Sequence, residues 1–263
     1  MKEYLYHYTS LATCIEYILP NRELKFNKIK ESNDPPEYIR NLSDFNFKKG
    51  SKEFRKGFQN TEFVSFCQGL KNDPEKFGFL NYPMWAHYGD GHKGVCLVFD
   101  KEKLVTELID QHDDCKSGDY IRYCPAMPNV KDTGESIFER INNSDIDLFF
   151  TKTDGWSYEN EFRLIVPPRK KDAKKSNRFL NIEESLKGII IGYKVNVVYN
   201  DLFLTLGAAF QGVRLFKLSL SNGQFKVEEP NEFFSEGCNL DQINFEPEVF
   251  NYSISKSKKN PNL

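Results

Sequence analysis

Four short stretches of this 263-residue chain concentrate the residue types that do polar chemistry. They are His7-Tyr8-Thr9, Asn33-Asp34-Pro35-Pro36-Glu37, Trp85-Ala86-His87-Tyr88-Gly89 and Trp156-Ser157-Tyr158-Glu159-Asn160-Glu161-Phe162-Arg163. The first offers an imidazole, a phenol and a hydroxyl at a strand end, just before a helix start at Ser10, where backbone donors are also unfilled. It reads equally as an aromatic core strand with one hydrogen-bonded histidine. The second reads as a helix entry made of an Asx turn and prolines, with Asn33, Asp34 and Glu37 on the rim of any site. The third sets two large aromatics beside a histidine and a glycine, as a stacking surface or as aromatics packed on a sheet.

The fourth stretch carries the sharpest chemistry. On a strand, the period of two puts Glu159, Glu161 and Arg163 on one face and Phe162 on the other. Two carboxylates then stand beside a guanidinium. A carboxylate there can accept a sugar hydroxyl or act as a general base. The Arg can hold a carboxylate in place or bind a phosphate. The alternative is an exposed ion-pair face.

These stretches need elements to hold them. Residues 4–9 read as a strand, followed by a helix with apolar positions at 11, 14, 15, 18 and 19 and Ser10 as its cap. Leu24, Phe26 and Ile29 suggest a short strand. A weakly patterned helix is expected over 38–56, stopped by Gly57. Strands are expected over 61–68, 93–100, 120–124, 161–166 and 186–191, and helices over 101–111, 132–152 and 200–210. Segments 213–220 and 224–227 flank Ser221-Asn222-Gly223 as a hairpin. Strands and helices mix without a strict alternating period. The expected fold is α+β: one domain over residues 1–252, its sheet mixed or mostly antiparallel and flanked by helices, with a polar tail at 253–263.

Bulk properties exclude several classes. The net charge is -2, so no global field draws the chain to nucleic acid or membrane. No run of eighteen apolar residues is present and no signal-peptide pattern opens the chain, so a cytoplasmic protein is expected. The 6 cysteines form no CxxC pair, which argues against a zinc or dithiol site. The basic loop around Arg169, Lys170, Lys171 and Arg178 fits a polyanionic partner or a solvated surface.

Taken in order, the motifs resemble a bacterial family of unknown function, domain-of-unknown-function family 2971. They are Tyr6-His7-Tyr8-Thr9-Ser10, Asn33-Asp34-Pro35, Trp85 to Gly89, Lys93-Gly94-Val95-Cys96 with Phe99-Asp100, and Trp156 to Arg163. The resemblance covers residues 4–192. The arrangement also looks like the ADP-ribosyltransferase superfamily, and that likeness implies NAD as co-substrate. On it, Glu161, His7 and Glu159 are the catalytic candidates. His7, Tyr8, Thr9, Trp85, His87, Tyr88 and Arg163 would bind NAD, and no metal is implied. The reaction implied is transfer of ADP-ribose to a protein or nucleic-acid acceptor, with release of nicotinamide, by a toxin or defence effector. All these residues are then expected in one cleft. The competing classes are a non-catalytic nucleotide- or peptide-binding sensor and a nuclease-type hydrolase using His7, His87 and Glu161.

Overall fold

The structure is a computed structural model. It describes residues 3–35, 37, 51–69, 78–112, 117–128, 133–169, 177–221 and 224–228. Its strands are β1 (Tyr4–Thr9), β2 (Glu23–Lys25), β3 (Asn27–Lys28), β4 (Glu62–Gln68), β5 (Val95–Asp100), β6 (Ser117–Tyr120) and β7 (Arg122–Cys124). They continue with β8 (Thr151–Thr153), β9 (Glu161–Val166), β10 (Phe179–Asn181), β11 (Leu186–Ile191), β12 (Arg214–Ser221) and β13 (Gln224–Glu228). The architecture is α+β, with mixed sheet flanked by helices. Contacts divide the chain into two compact units, each built from separated segments. The first takes Met1–Arg22, Gln68–Leu104 and Ile182–Leu263; the second takes Glu23–Cys67 and Val105–Asn181.

In the first unit the strand order is β13-β12-β11-β5-β1. Every neighbouring pair in it is antiparallel except β11 with β12, which is parallel. β5 lies between β1 and β11, and all of its residues are buried, as its unbroken Val-Cys-Leu-Val-Phe run requires. Helical residues 11–21 start at Ser10, whose side chain accepts from the Thr13 N–H, and their middle, Cys14–Ile18, is π-helical. The helix ends with Arg22 in the left-handed conformation at φ 57°, two residues beyond Pro20. Cys14, Ile18 and Leu19 are its buried face. The helix Asn200–Ala208 buries Phe203.

The second unit pairs β3 with β4, β4 with β9, and β9 with β6, all antiparallel. β9 therefore has a partner on each side, and all six of its residues are buried. Phe58, Phe63, Ile137, Ile141, Phe149, Phe150 and Ile165 belong to one apolar cluster there. Two smaller pairings, β10 with β2 and β7 with β8, complete the unit.

The expected helix over 132–152 is three elements instead. Helix Ile137–Asn142 opens with a capping box of Ser136 and Glu139. Ser144 then takes φ 49°, and Asp145 caps a second helix, Ile146–Phe149. Buried Arg140 pairs with Asp145 at 2.7 Å and locks that break. Asn142-Asn143-Ser144-Asp145 favours local caps over helix continuation, which a periodicity count does not register. The chain then runs into β8. The expected strand at 120–124 is likewise two strands, separated by Ile121. Gly57 does not stop its helix, which runs over Ser51–Gln59. The expected helical residues 38–50, the hairpin turn at 222–223 and the tail at 253–263 lie outside the described residues.

Candidate functional site

The second unit holds a buried charged cluster built around β9. The period of two puts Glu161, Arg163 and Ile165 on one face. On β4, Ser65 lies directly opposite Arg163 and Cys67 opposite Glu161. The Arg163 Nε donates to Glu161 Oε1 at 2.7 Å and its Nη2 to Glu161 Oε2 at 3.1 Å. Its Nη1 donates to the Phe149 carbonyl at 3.0 Å and to a Glu37 carboxylate oxygen. The Phe63 ring lies 4.7 Å from the guanidinium. Arg163 is 0% exposed, and only such full pairing makes a buried guanidinium tolerable.

Glu159 joins the cluster by another route than a shared strand face. It ends the 3-10 segment Asp154–Glu159, and Asn160 turns the chain at φ 43° before β9 begins. The expectation of three residues on one strand face therefore fails for Glu159. Lys152, from β8, reunites the two carboxylates: its Nζ is 2.7 Å from Glu159 Oε2 and 2.7 Å from Glu161 Oε2. The Lys152 ammonium also lies 5.7 Å from the Trp156 ring centre.

The Glu161 carboxylate is filled by donors. Its Oε1 accepts from Arg163 and from the Ser65 hydroxyl, and its Oε2 from Arg163 and Lys152. Its backbone N–H donates to the Tyr123 phenol oxygen at 2.9 Å. Burial alone would raise the Glu161 carboxyl. Arg163 and Lys152 outweigh burial and hold it well below the usual carboxylate range. Burial pushes the Tyr123 phenol up, as it does Tyr158.

The Asn33–Glu37 stretch divides. Asn33 is exposed, whereas Asp34 and Glu37 are buried. The Ser32 hydroxyl donates to Glu37 Oε2 at 2.6 Å, and the Glu37 N–H donates to the Asp34 carbonyl at 3.0 Å. Glu37 thus belongs to the Arg163 cluster and not to a rim. Neither carboxylate oxygen of Asp34 has a hydrogen-bond partner among the described residues.

The remaining candidates lie in the first unit. His7 is half-buried on β1, opposite Leu97. Tyr8 and Thr9 are buried. The Tyr8 hydroxyl donates to the Gly78 carbonyl, and its ring meets Trp85 edge-on at 5.1 Å. Trp85 is fully buried, with its indole N–H donating to the Phe79 carbonyl at 2.8 Å. Both rings are therefore committed to packing. His87 is exposed and Tyr88 half-buried, and their rings stand 6.4 Å apart. The motif glycines serve close packing here. A Cβ on Gly89 would come within 2.7 Å of the Trp85 ring, and one on Gly94 within 2.2 Å of the Thr9 carbonyl oxygen.

The structure thus gathers Asp34, Glu37, Glu159, Glu161 and Arg163 in one unit, and His7, Tyr8, Thr9, Trp85, His87 and Tyr88 in the other. Sequence reading missed Ser65, Tyr123 and Lys152. Only Lys152 left a trace, as the residue between the two β-branched threonines Thr151 and Thr153, which are poorly suited to a helix end. Among the described residues no group of three or more His, Cys, Asp or Glu is placed to hold a metal ion, and no helix is long and apolar enough to cross a membrane.

Comparison with known protein families gives a match over part of the chain. Residues 84–164 are similar to a family described as protein of unknown function (DUF2971). That span contains the Trp85–Gly89 motif and the whole of Trp156–Arg163, but not the two earlier motifs. No curated protein and no solved structure matches the chain.

Proposed function

We propose that this chain is a cytoplasmic NAD-dependent ADP-ribosyltransferase of ADP-ribosyltransferase-like fold, a toxin or defence effector acting on a protein or nucleic-acid acceptor. The observation that carries the reading is the Glu161 carboxylate, a negative charge kept ionised in a dry site at the start of β9. Breaking the nicotinamide–ribose bond sends the bonding electron pair to the nicotinamide nitrogen, which leaves neutral, and positive charge grows on the ribose. A preorganised anion nearby lowers that barrier. The acceptor's lone pair then forms the new bond to the ribose carbon, and we assign its proton to Glu159. Because Arg163, Lys152 and Ser65 fill the Glu161 oxygens, Glu161 acts through its charge and not by holding a substrate hydroxyl. In this reading His7 and Thr9 are assigned to hold a ribose or phosphate, and exposed His87 and half-buried Tyr88 to offer an aromatic surface.

The same filled carboxylate favours a second reading. A carboxylate whose oxygens accept from three neighbours also suits a purely structural pair, in a module that binds a nucleotide or peptide without turning it over. Nicotinamide release from labelled NAD separates the two readings. Release by the wild type that is lost in Glu159→Gln, at unchanged stability, supports the transferase. NAD binding without release by the wild type supports the module.

A further inference from the structure

Among the described residues, the cluster around β9 is rich in acid. Glu37, Glu159 and Glu161 bring three carboxylates against the two cations Lys152 and Arg163, all five of them buried. Ion pairs commit both cations to those same carboxylates. Asp34 adds a fourth carboxyl group beside these three. Asp34 is 1% exposed, and neither of its carboxylate oxygens has a hydrogen-bond partner among the described residues. Buried carboxylates are normally satisfied, so a bare one in an acid-rich cluster marks the place of a missing donor. Asn33 and Pro35, on either side of Asp34, are exposed. The Trp156 indole lies beside Asp34 without reaching hydrogen-bond geometry, and Trp156 and Tyr158 are half-buried rings 6.1 Å apart.

We propose that Asp34 is the receiving carboxylate of a site for a small organic cation bearing N–H donors, a guanidinium or a primary ammonium group. Two unfilled oxygens match paired N–H donors, positive charge suits an acid-rich surrounding, and an aromatic ring beside the carboxylate suits a cation as well. The site is independent of NAD, so it stands or falls apart from the transferase reading. Its pH dependence is fixed by what faces Asp34. Burial and then Glu37 push the Asp34 carboxyl up, while Lys152, the Trp156 indole and Arg163 pull it down without cancelling that rise. A bound cation favours the ionised carboxylate, so binding releases a proton and tightens as pH rises.

The test is titration of the full chain, followed by calorimetry, with methylguanidinium, ethylammonium and tetramethylammonium at several pH values from about 4, near the ordinary carboxyl value, to about 8. The first two are expected to bind saturably and more tightly as pH rises. Tetramethylammonium, with the charge but no N–H donor, is expected to bind at least about tenfold more weakly. Asp34→Asn is expected to weaken methylguanidinium binding by at least about tenfold, with a thermal midpoint no lower than the wild type's. Glu139→Gln, at an exposed carboxylate of the same unit, is expected to bind as the wild type does. Absence of saturable binding overturns the proposal. So does equal affinity in wild type and Asp34→Asn, or tetramethylammonium binding as well as methylguanidinium.

Discussion

Replacing Glu161 with Gln removes one negative charge from a place where two buried cations depend on it. The amide keeps the shape of the side chain. It cannot accept from Arg163 on both atoms and from Lys152 as well, because one of its two ends is now a donor. Arg163 keeps Glu37 and the Phe149 carbonyl, and Lys152 keeps Glu159. Breaking one partner of a buried pair while leaving the other charged costs about 3–5 kcal/mol. The retained contacts place this case at the lower end, so the expected loss is about 3 kcal/mol. The pH dependence gives an independent check. The folded-state carboxyl of Glu161 is held below its ordinary value of 4.5, so its stabilisation is fully present above that value and is lost as pH falls below it. Denaturant unfolding of wild type and Glu161→Gln across the acid range measures both quantities. The difference between them should be largest near neutrality and shrink toward low pH. A variant as stable as the wild type at neutral pH would refute the account of the cluster. A catalytic assay of Glu161→Gln is meaningful only at a temperature where the variant remains folded.

Other positions separate packing from surface. Gly94→Ala should cost about 3 kcal/mol, because the new Cβ meets the Thr9 carbonyl oxygen at 2.2 Å and that backbone must shift; thermal unfolding checks it. Tyr8→Phe should lose about 1 kcal/mol in denaturant unfolding, by leaving the Gly78 carbonyl without its buried donor. His87→Ala, at an exposed position, should stay within about 0.5 kcal/mol of wild type while changing any NAD affinity measured by calorimetry. Asp34→Asn should raise stability at neutral pH by about 1–2 kcal/mol, because a bare buried carboxyl pushed upward favours its neutral form; the gain should shrink as pH falls.

Much of the frame was legible in the sequence because its signals are local. β5 follows from an unbroken apolar run, β9 from a charged and apolar alternation closed by Pro167 and Pro168, and helix Lys101–Gln111 has the expected bounds. The Glu161–Arg163 pair follows from the strand period alone. The failures came where one residue's backbone decides. Left-handed Asn160 takes Glu159 off the strand, and left-handed Ser144 breaks the expected helix. The partners that define the cluster were invisible for a different reason. Ser65, Tyr123 and Lys152 are separated from Glu161 in sequence and reach it only through strand register and a chain turn. Glu37 read as a helix-entry residue because nothing local announces that a guanidinium far along the chain will take its carboxylate.

The most direct test of the central claim is incubation of the wild-type chain with NAD labelled in both the nicotinamide and the adenosine halves, together with candidate protein and nucleic-acid acceptors. The transferase account expects free nicotinamide to appear in step with adenosine label on an acceptor. It expects Glu159→Gln to lower that rate by roughly a hundredfold while its unfolding midpoint is checked in parallel. Intact NAD and unlabelled acceptors after prolonged incubation with folded wild-type protein would contradict it.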